Sequence, residues 1–307
     1  MIEKNVYLVV DVGGTFLKSA IMDENGNVQQ ESVFTVPSYS GGSKAEIMSS
    51  LRVCISTGLT FAAKTNARMK GIGFSFPGPF DYKNGISLMK HKFHGLYQLN
   101  IRDLIRNISC IDKNIPICFI HDANAVLIGE QWMGNAQNYS NSAVVTLGTG
   151  IGFAHSQDKV IQCNSLGGPS ASVYSISYKD SILEDYVSQR GILKIYRGLN
   201  RKNIDTDISV YDIANQAYEG DITSVRTFHI MGDILAQSLS DILQKKKIEC
   251  LLFGGQISKS YHLFEQSLRE GLDDIESLQW ISSVKSIENA AFYGILVNII
   301  GGYGIKN

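Results

Sequence analysis

Two stretches of this sequence, far apart, share one layout. Asn5 to Val12 is rich in β-branched and aromatic residues, Gly13-Gly14 interrupts it, and Phe16 to Met22 resumes a strand-like run. About 135 residues later the order recurs as Ser142 to Leu147, then Gly148-Thr149-Gly150-Ile151-Gly152, then Phe153 to Ser156. Each reads as strand, tight glycine turn, strand. A repeat at this separation has the scale of a domain rather than of a short tandem unit. Such a turn gathers bare backbone N–H groups into an anion-sized concavity, and glycine lets a phosphate come close to them. Asp11 stands at the mouth of the first turn. A carboxylate beside a phosphate is repulsive unless a cation lies between, so Asp11 with Gly13 and Gly14 points to a magnesium nucleotide. The plainer reading of either stretch alone is a hairpin whose Asp and Gly serve only the turn. The matched pair favours a duplicated fold with one nucleotide held between its halves.

At 307 residues the chain exceeds the usual size of one core, which favours two domains. Its 44% hydrophobic and 19% charged content is that of an ordinary soluble globular protein. A net charge of -1, with no basic stripe interleaved with aromatics, argues against nucleic acid as a partner. Met1-Ile2-Glu3-Lys4 leads straight into a strand, so no secretory signal is expected, and the longest apolar runs are too short to span a bilayer. The five cysteines, Cys54, Cys110, Cys118, Cys163 and Cys250, are scattered and never form a C-x-x-C pair. They read as reduced thiols of a cytoplasmic protein, not as a disulfide framework or a zinc site. His91 and His94 lie close together, yet no neighbouring Cys, Asp or Glu completes a ligand set.

Along the chain, a third antiparallel strand is expected from Val28 onward, after the turn at Glu24-Asn25-Gly26-Asn27. Ser43-Lys44-Ala45-Glu46 is a capping-box pattern, and Ile47, Leu51, Ile55 and Leu59 mark one face of the helix it opens. A strand over 71–75 ends abruptly at Phe76-Pro77-Gly78-Pro79, a loop at the carboxyl edge where open α/β sheets bind ligands. Another strand, over 116–120, delivers His121-Asp122-Ala123-Asn124 to a helix over 125–132. Asp122 is either the N-cap of that helix or a general base at the sheet edge. The second half is mainly helical, with helical periodicity over 178–196, 210–218 and 222–246. Lys245-Lys246-Lys247 fits a solvated helix end. A strand over 250–253 ends in Gly254-Gly255, which either admits a planar or phosphate ligand or merely tightens a strand-to-helix turn. A last apolar helix over 289–300 is expected to pack back on the first domain. That puts one α/β domain at 1–121 plus 289–307 and the other at 122–288.

In this order the pieces resemble the ROK family of sugar kinases, repressors and open reading frames. The resemblance covers nearly the whole length. It rests on Asp11-Val12-Gly13-Gly14-Thr15 with Lys18, Phe76-Pro77-Gly78-Pro79, Asp122-Ala123-Asn124, Leu147 through Gly152, and Gly254-Gly255. It implies an α/β actin/hexokinase-like ATPase fold made of two duplicated ribonuclease H-like domains, and a homodimer. ROK repressors carry a helix-turn-helix ahead of the first phosphate motif, and too little chain precedes Asp11 here to hold one, so the kinase branch is expected. The resemblance makes Asp122 the general base that takes the proton of a sugar hydroxyl attacking the γ-phosphate of ATP. Gly13, Gly14, Thr15 and Lys18 would face the phosphates from one domain, and Gly148, Thr149 and Gly150 from the other. Asp11 would hold Mg²⁺ through water, and Gly254 and Gly255 would border the adenosine. Gly78, His121, Asp122 and Glu184 would contact the sugar.

Three departures from the family pattern bear on the substrate. The usual Gly-Glu-x-Gly-His motif, whose Glu binds the sugar and whose His binds zinc, corresponds to Ser170-Ala171-Ser172-Val173-Tyr174. The cysteine-rich zinc loop is missing; Ile182-Leu183-Glu184-Asp185-Tyr186-Val187-Ser188 keeps the following Glu but has Ile182 in place of Cys. His121 stands where an Asn usually precedes the catalytic Asp. The expected activity is therefore zinc-free: ATP- and Mg²⁺-dependent phosphorylation of a hexose or hexoside, at the 6-hydroxyl, of the glucokinase or β-glucoside kinase kind. The alternative is a non-catalytic sugar- or nucleotide-binding regulator of the same fold.

Overall fold

The computed structural model describes residues 4–108, 111–200 and 207–301, so Cys110 lies outside the described residues. The chain divides into two compact units. One takes in the residues up to Met133, then Cys163–Ser170, then Glu288 onward; the other is Gly134–Gln162 with Ala171–Ile287.

The first unit opens with β1 (Lys4–Val12), β2 (Phe16–Met22), β3 (Phe34–Pro37), α1 (Lys44–Lys64) and β4 (Ala67–Phe76). It continues through the two-residue strands β5 (Phe80–Asp81) and β6 (Ile86–Ser87), α2 (Ile101–Arg106), β7 (Ile117–His121) and α3 (Asp122–Met133). Its sheet runs β3-β2-β1-β4-β7, with β1 to β3 antiparallel and β4 and β7 parallel to β1. The third strand starts later than the sequence suggests. Val28 makes only an isolated bridge to Met22, and Ser32 then takes over the ladder: its hydroxyl accepts the Ile21 N–H and donates to the Gln29 carbonyl. The capping box forms, with Ser43 N–H donating to Glu46 and the Glu46 N–H to Ser43 Oγ. Ile47, Leu51 and Ile55 are buried under it as their spacing requires. Below the carboxyl edge of the sheet, the rings of Phe74, Phe76, Phe80 and Phe119 pack together, stacked or tilted, at 5.1–6.4 Å between centroids. This aromatic floor fixes the loop that carries Gly78.

The second unit repeats the plan. It contains β8 (Ser142–Leu147), β9 (Ile151–Gln157), β10 (Val160–Ile161), a small hairpin of β11 (Ser177–Tyr178) and β12 (Ser181–Ile182), and the one-turn α4 (Glu184–Val187). There follow α5 (Gln189–Leu199), α6 (Val210–Tyr218), α7 (Ile222–Lys245), β13 (Cys250–Gly254), α8 (Tyr261–Glu270) and β14 (Trp280–Ser283). The sheet order β10-β9-β8-β13-β14 has the same three antiparallel and two following parallel strands as the first sheet. The duplication read from two hairpins thus extends to both whole sheets. The helix expected over 178–196 is broken twice. Lys179 sits at φ +49 and turns the β11–β12 hairpin, and Ser188 is extended between α4 and α5.

The chain ends its described course in α9 (Ala290–Ile300), which rejoins the first unit and lies along α3. The two helices meet backbone to backbone: a Cβ added at Gly294 would come within 1.8 Å of the Ala125 carbonyl oxygen, and one at Gly129 within 2.0 Å of that of Ala290. This packing is why the first unit runs on through α3 to Met133 instead of stopping at Asp122. Among the described residues no helix is long and apolar enough to cross a membrane.

One core residue of the second unit is out of character. His155 on β9 is 1% exposed, stacks on Phe153, and neither ring nitrogen has a hydrogen-bond partner. Burial, with the nearby Lys246 charge, holds its pKa at about 4, below the ordinary histidine value of 6.5. Because the folded pKa is the lower one, the unfolded chain binds the proton first as pH falls. Stability is therefore complete above about pH 6.5 and lost toward pH 4, by roughly 3 kcal/mol in all. His155→Phe, which removes the orphaned nitrogens, is expected to raise the urea midpoint at pH 5 and to flatten its dependence on pH between about 4 and 7.

Candidate active site

Three strands of the first unit end side by side. Register places Asp11 of β1 opposite Ser75 of β4, and Phe76 of β4 opposite His121 of β7. The Ser75 hydroxyl donates to Asp11 Oδ1. Burial pushes the Asp11 carboxyl up; Ser75 and Lys18 pull it down, while the negative charge of Asp122 pushes it up again. Lys18 is opposite Asp11 on β2 but spends its ammonium elsewhere: Nζ lies 2.6 Å from Glu288 Oε2 and 3.0 Å from the Glu288 carbonyl, 5.3 Å above the Phe292 ring. Asp11 therefore feels the negative charge of Asp122 while Lys18, opposite it in the sheet, is already paired with Glu288. That donor set fits a bound divalent cation. No three His, Cys, Asp or Glu side chains among the described residues converge on a metal, so Asp11 would act as the single protein carboxylate of a hydrated Mg²⁺ carried by phosphates.

Asp122 begins α3, yet it does not cap the helix. An N-cap side chain accepts the N–H two or three residues on, whereas Asp122 Oδ1 takes the Ala123 N–H at 2.7 Å and lies 3.0 Å from His121 Nδ1. Its side chain is 39% exposed, open to a ligand. Burial pushes the carboxyl up, but the His121 ring, the Lys92 ammonium and the Ala123 N–H outweigh it and hold the pKa at about 2. The Asp122 carboxylate is thus ionised and open on one side. Gly78 adjoins His121 and Tyr82: a Cβ there would be 3.6 Å from both the His121 ring and the Tyr82 hydroxyl. Tyr82 in turn donates to the Phe76 carbonyl and meets His121 edge-on.

The Gly13-Gly14-Thr15 turn is fastened by its carbonyls. Ser38 and Ser40 donate their hydroxyls to Gly14 O, and the Ser38 N–H donates to Thr15 O. A Cβ on Gly14 would meet nothing within 4 Å, so the concavity beside it is open.

In the second unit the Gly148-Thr149-Gly150 turn closes with a Gly148 N–H to Gly150 carbonyl bond of 3.0 Å. Its neighbour is the Gly254-Gly255 turn after β13. Gly255 has φ +84, and a Cβ there would sit 2.3 Å from the Leu147 carbonyl oxygen, so only glycine fits. Glu184 braces the first of these turns: Oε2 accepts the Ile151 N–H at 3.1 Å, and Oε1 pairs with Arg190 at 3.0 Å. Arg190 also bridges to Asp185, so the carboxylate charge beside the turn is offset. Gly148, Thr149, Gly150, Gly254 and Gly255 come together; Glu184 stands with them.

Sequence reasoning missed Ser75, Ser38, Ser40 and Arg190. Each acts through a partner distant in sequence, and a lone Ser or Arg carries no local signal.

The ROK family model matches residues 7–168 and 179–291. The chain belongs to the ROK family. The break in the match, 169–178, contains Ser170 to Tyr174, a stretch with neither Glu nor His. This ROK chain is 27% identical over 143 residues to a β-glucoside kinase of Listeria monocytogenes, a match that spans 46% of this chain and 43% of that kinase. It is 23% identical over 274 residues to the xylose repressor of Bacillus subtilis, spanning 85% of this chain and 66% of the repressor. The chain thus spans less than two thirds of either relative. Among solved structures, a ROK family glucokinase of Streptomyces griseus in complex with glucose and AMPPNP superposes with a TM-score of 0.78 at 19% identity, covering 95% of this chain and 98% of that one. The ROK chain accordingly has the two-domain actin/hexokinase-like α/β fold.

Proposed function

We propose that this ROK protein is an ATP- and Mg²⁺-dependent sugar kinase, acting on a hydroxyl of a hexose or hexoside, with Asp122 as general base. The observation that carries the reading is Asp122 itself. A carboxylate that caps nothing, stays ionised and faces outward beside Asp11 has no evident structural task. In the reaction, Asp122 accepts the proton of the attacking hydroxyl as the new O–P bond forms and the bond to the nucleoside diphosphate breaks. His121 and the Ala123 N–H hold the carboxylate in place. Gly14 and Thr15, and likewise Thr149 and Gly150, take phosphate oxygens, Gly13 and Gly148 shape the turns with their N–H groups bonded to the Phe16 and Gly150 carbonyls, and Gly254 and Gly255 border the nucleoside. Asp11 would hold Mg²⁺, which would supply charge neutralisation on the phosphates. Lys18 stays paired with Glu288 and acts through that pair.

The test is a coupled ADP-release assay with Mg·ATP over neutral and substituted hexoses, with Asp122→Asn as control. Sugar-dependent turnover lost in the variant supports the kinase. Nucleotide binding without turnover on any sugar would instead favour the regulator, in keeping with the likeness to a xylose repressor.

The nucleotide cradle has its own test. Gly14→Ala adds a Cβ where there is room, so the melting temperature is expected to stay within about 2 °C of the parent. The same methyl group fills the phosphate concavity, and titration calorimetry with a non-hydrolysable ATP analogue should show affinity weakened about tenfold or more. An unchanged affinity would remove this turn from the site.

A further inference from the structure

We propose that the acceptor sugar carries a negative charge, as a sugar phosphate or a sugar acid, and that Lys92 recognises it. This rests on the kinase reading of the same site. Between Asp81 and Asp103 the sequence holds Lys83, Lys90, His91, Lys92, His94 and Arg102 and not one acidic residue, in a chain whose net charge is -1. Two of these cations are already engaged. Arg102 donates to the Ile117 and Lys83 carbonyls and lies over Phe119, and Lys90 lies over Tyr97. Lys92 is half-buried and has no carboxylate within ion-pair distance among the described residues.

Its backbone is built to hold it at the site. The next residue, Phe93, has φ +50, a left-handed conformation that is an outlier for a bulky aromatic. Such a conformation persists only where surrounding contacts impose it. Here the Phe93 ring is fully buried and meets Phe76 edge-on at 6.0 Å, and its N–H donates to the Ser40 carbonyl. Phe76 is opposite His121 in the sheet, and Ser40 Oγ donates to Gly14 O. Lys92 is therefore anchored from both sides at the edge that carries Asp11 and Asp122, and its charge acts on the Asp122 carboxyl.

The rest of the wall agrees. Lys83 borders Gly167, whose carbonyl accepts from Asn124, next to Tyr82 and His121. Residues 163–170, which join the first unit, contain no charged side chain. Carboxylates are good acceptors for the hydroxyls of a neutral sugar. A wall whose first-unit segments 82–102 and 163–170 offer no carboxylate and hold an unpaired lysine suits an anion instead.

The experiment compares glucose with glucose 1-phosphate, glucose 6-phosphate and glucuronate as acceptors for the full-length protein with Mg·ATP. Lys92→Met and Lys92→Arg are run in parallel, with the melting temperature of each as a folding check. At least one anionic acceptor is expected to show a KM tenfold or more below that of glucose. Lys92→Met should raise that KM at least tenfold, Lys92→Arg should restore it, and the KM for ATP should change little in either. The two phosphates and the uronate tell a phosphate from a carboxylate. If glucose is the better acceptor, or if Lys92→Met raises only the KM for ATP, the proposal is overturned; in the second case the lysine serves the nucleotide phosphates. If no acceptor turns over, calorimetric binding of the same sugars decides. Binding of an anionic sugar that Lys92→Met abolishes leaves the proposal standing while the kinase reading fails, and no binding overturns both.

Discussion

Asp122→Asn is expected to lower kcat by about 10²–10⁴-fold, the usual contribution of a positioned general base. The substitution keeps the size of the side chain and removes both the charge and the ability to take a proton. It should not unravel α3, because Asp122 caps no helical N–H beyond its neighbour Ala123. Folding is therefore expected to be near that of the parent, with a melting temperature within a few degrees. Asp11 loses a like-charged neighbour, so its own carboxyl should drop toward the ordinary range. ATP analogue affinity is expected to be held within about threefold, since no phosphate-facing turn is touched. A variant that retains a tenth of the parental kcat would take the base role away from Asp122.

Gly294→Ala carries the largest expected effect on stability. The added Cβ would lie 1.8 Å from the Ala125 carbonyl oxygen, a backbone atom that no side-chain rotation can move aside. Relief requires α9 to withdraw from α3, which loses contact along the whole crossing. Overpacking of this kind costs about 3 kcal/mol or more, equivalent to roughly 6–12 °C in melting temperature for a unit of this size. Gly198→Ala makes the control. It lies in α5, where a Cβ meets nothing within 4 Å, and the better helix former should leave stability unchanged or raise it by up to about 1 kcal/mol. Opposite signs for one chemical change would show that contact geometry, not glycine's flexibility, sets the loss at Gly294. Because α3 begins at Asp122, turnover should fall in Gly294→Ala as well.

The sequence announced most of the frame through local signals. Strand, glycine turn and strand are each written into one contiguous stretch, Asn5 to Met22 and Ser142 to Ser156, and the Ser43–Glu46 box and the spacing of Ile47, Leu51 and Ile55 are equally local. The five-strand sheets follow from the repeated hairpins. What could not be read depends on residues distant in the chain. Ser75 meets Asp11 only because β4 pairs in parallel with β1, and Glu184 meets the Gly148–Gly150 turn across a hairpin and a helical turn. The 178–196 segment was misread because its apolar positions fit a helical face while Lys179 and Ser188 adopt breaking conformations. A lysine at position 92 looks like any surface lysine until Phe93 is seen fixing it.

The α3–α9 crossing also has a consequence for how the protein is made. Chains leave the ribosome from the N-terminus, and domains generally fold as units as they emerge. The strands that carry Asp11 and Asp122 emerge early, but α9, the partner of α3, emerges only after the whole of the second unit. The second unit can gain its core while the first still waits for its last helix. During synthesis the apolar face of α3 stays uncovered for the entire interval, so nascent chains stalled before residue 290 should be the species that chaperones capture.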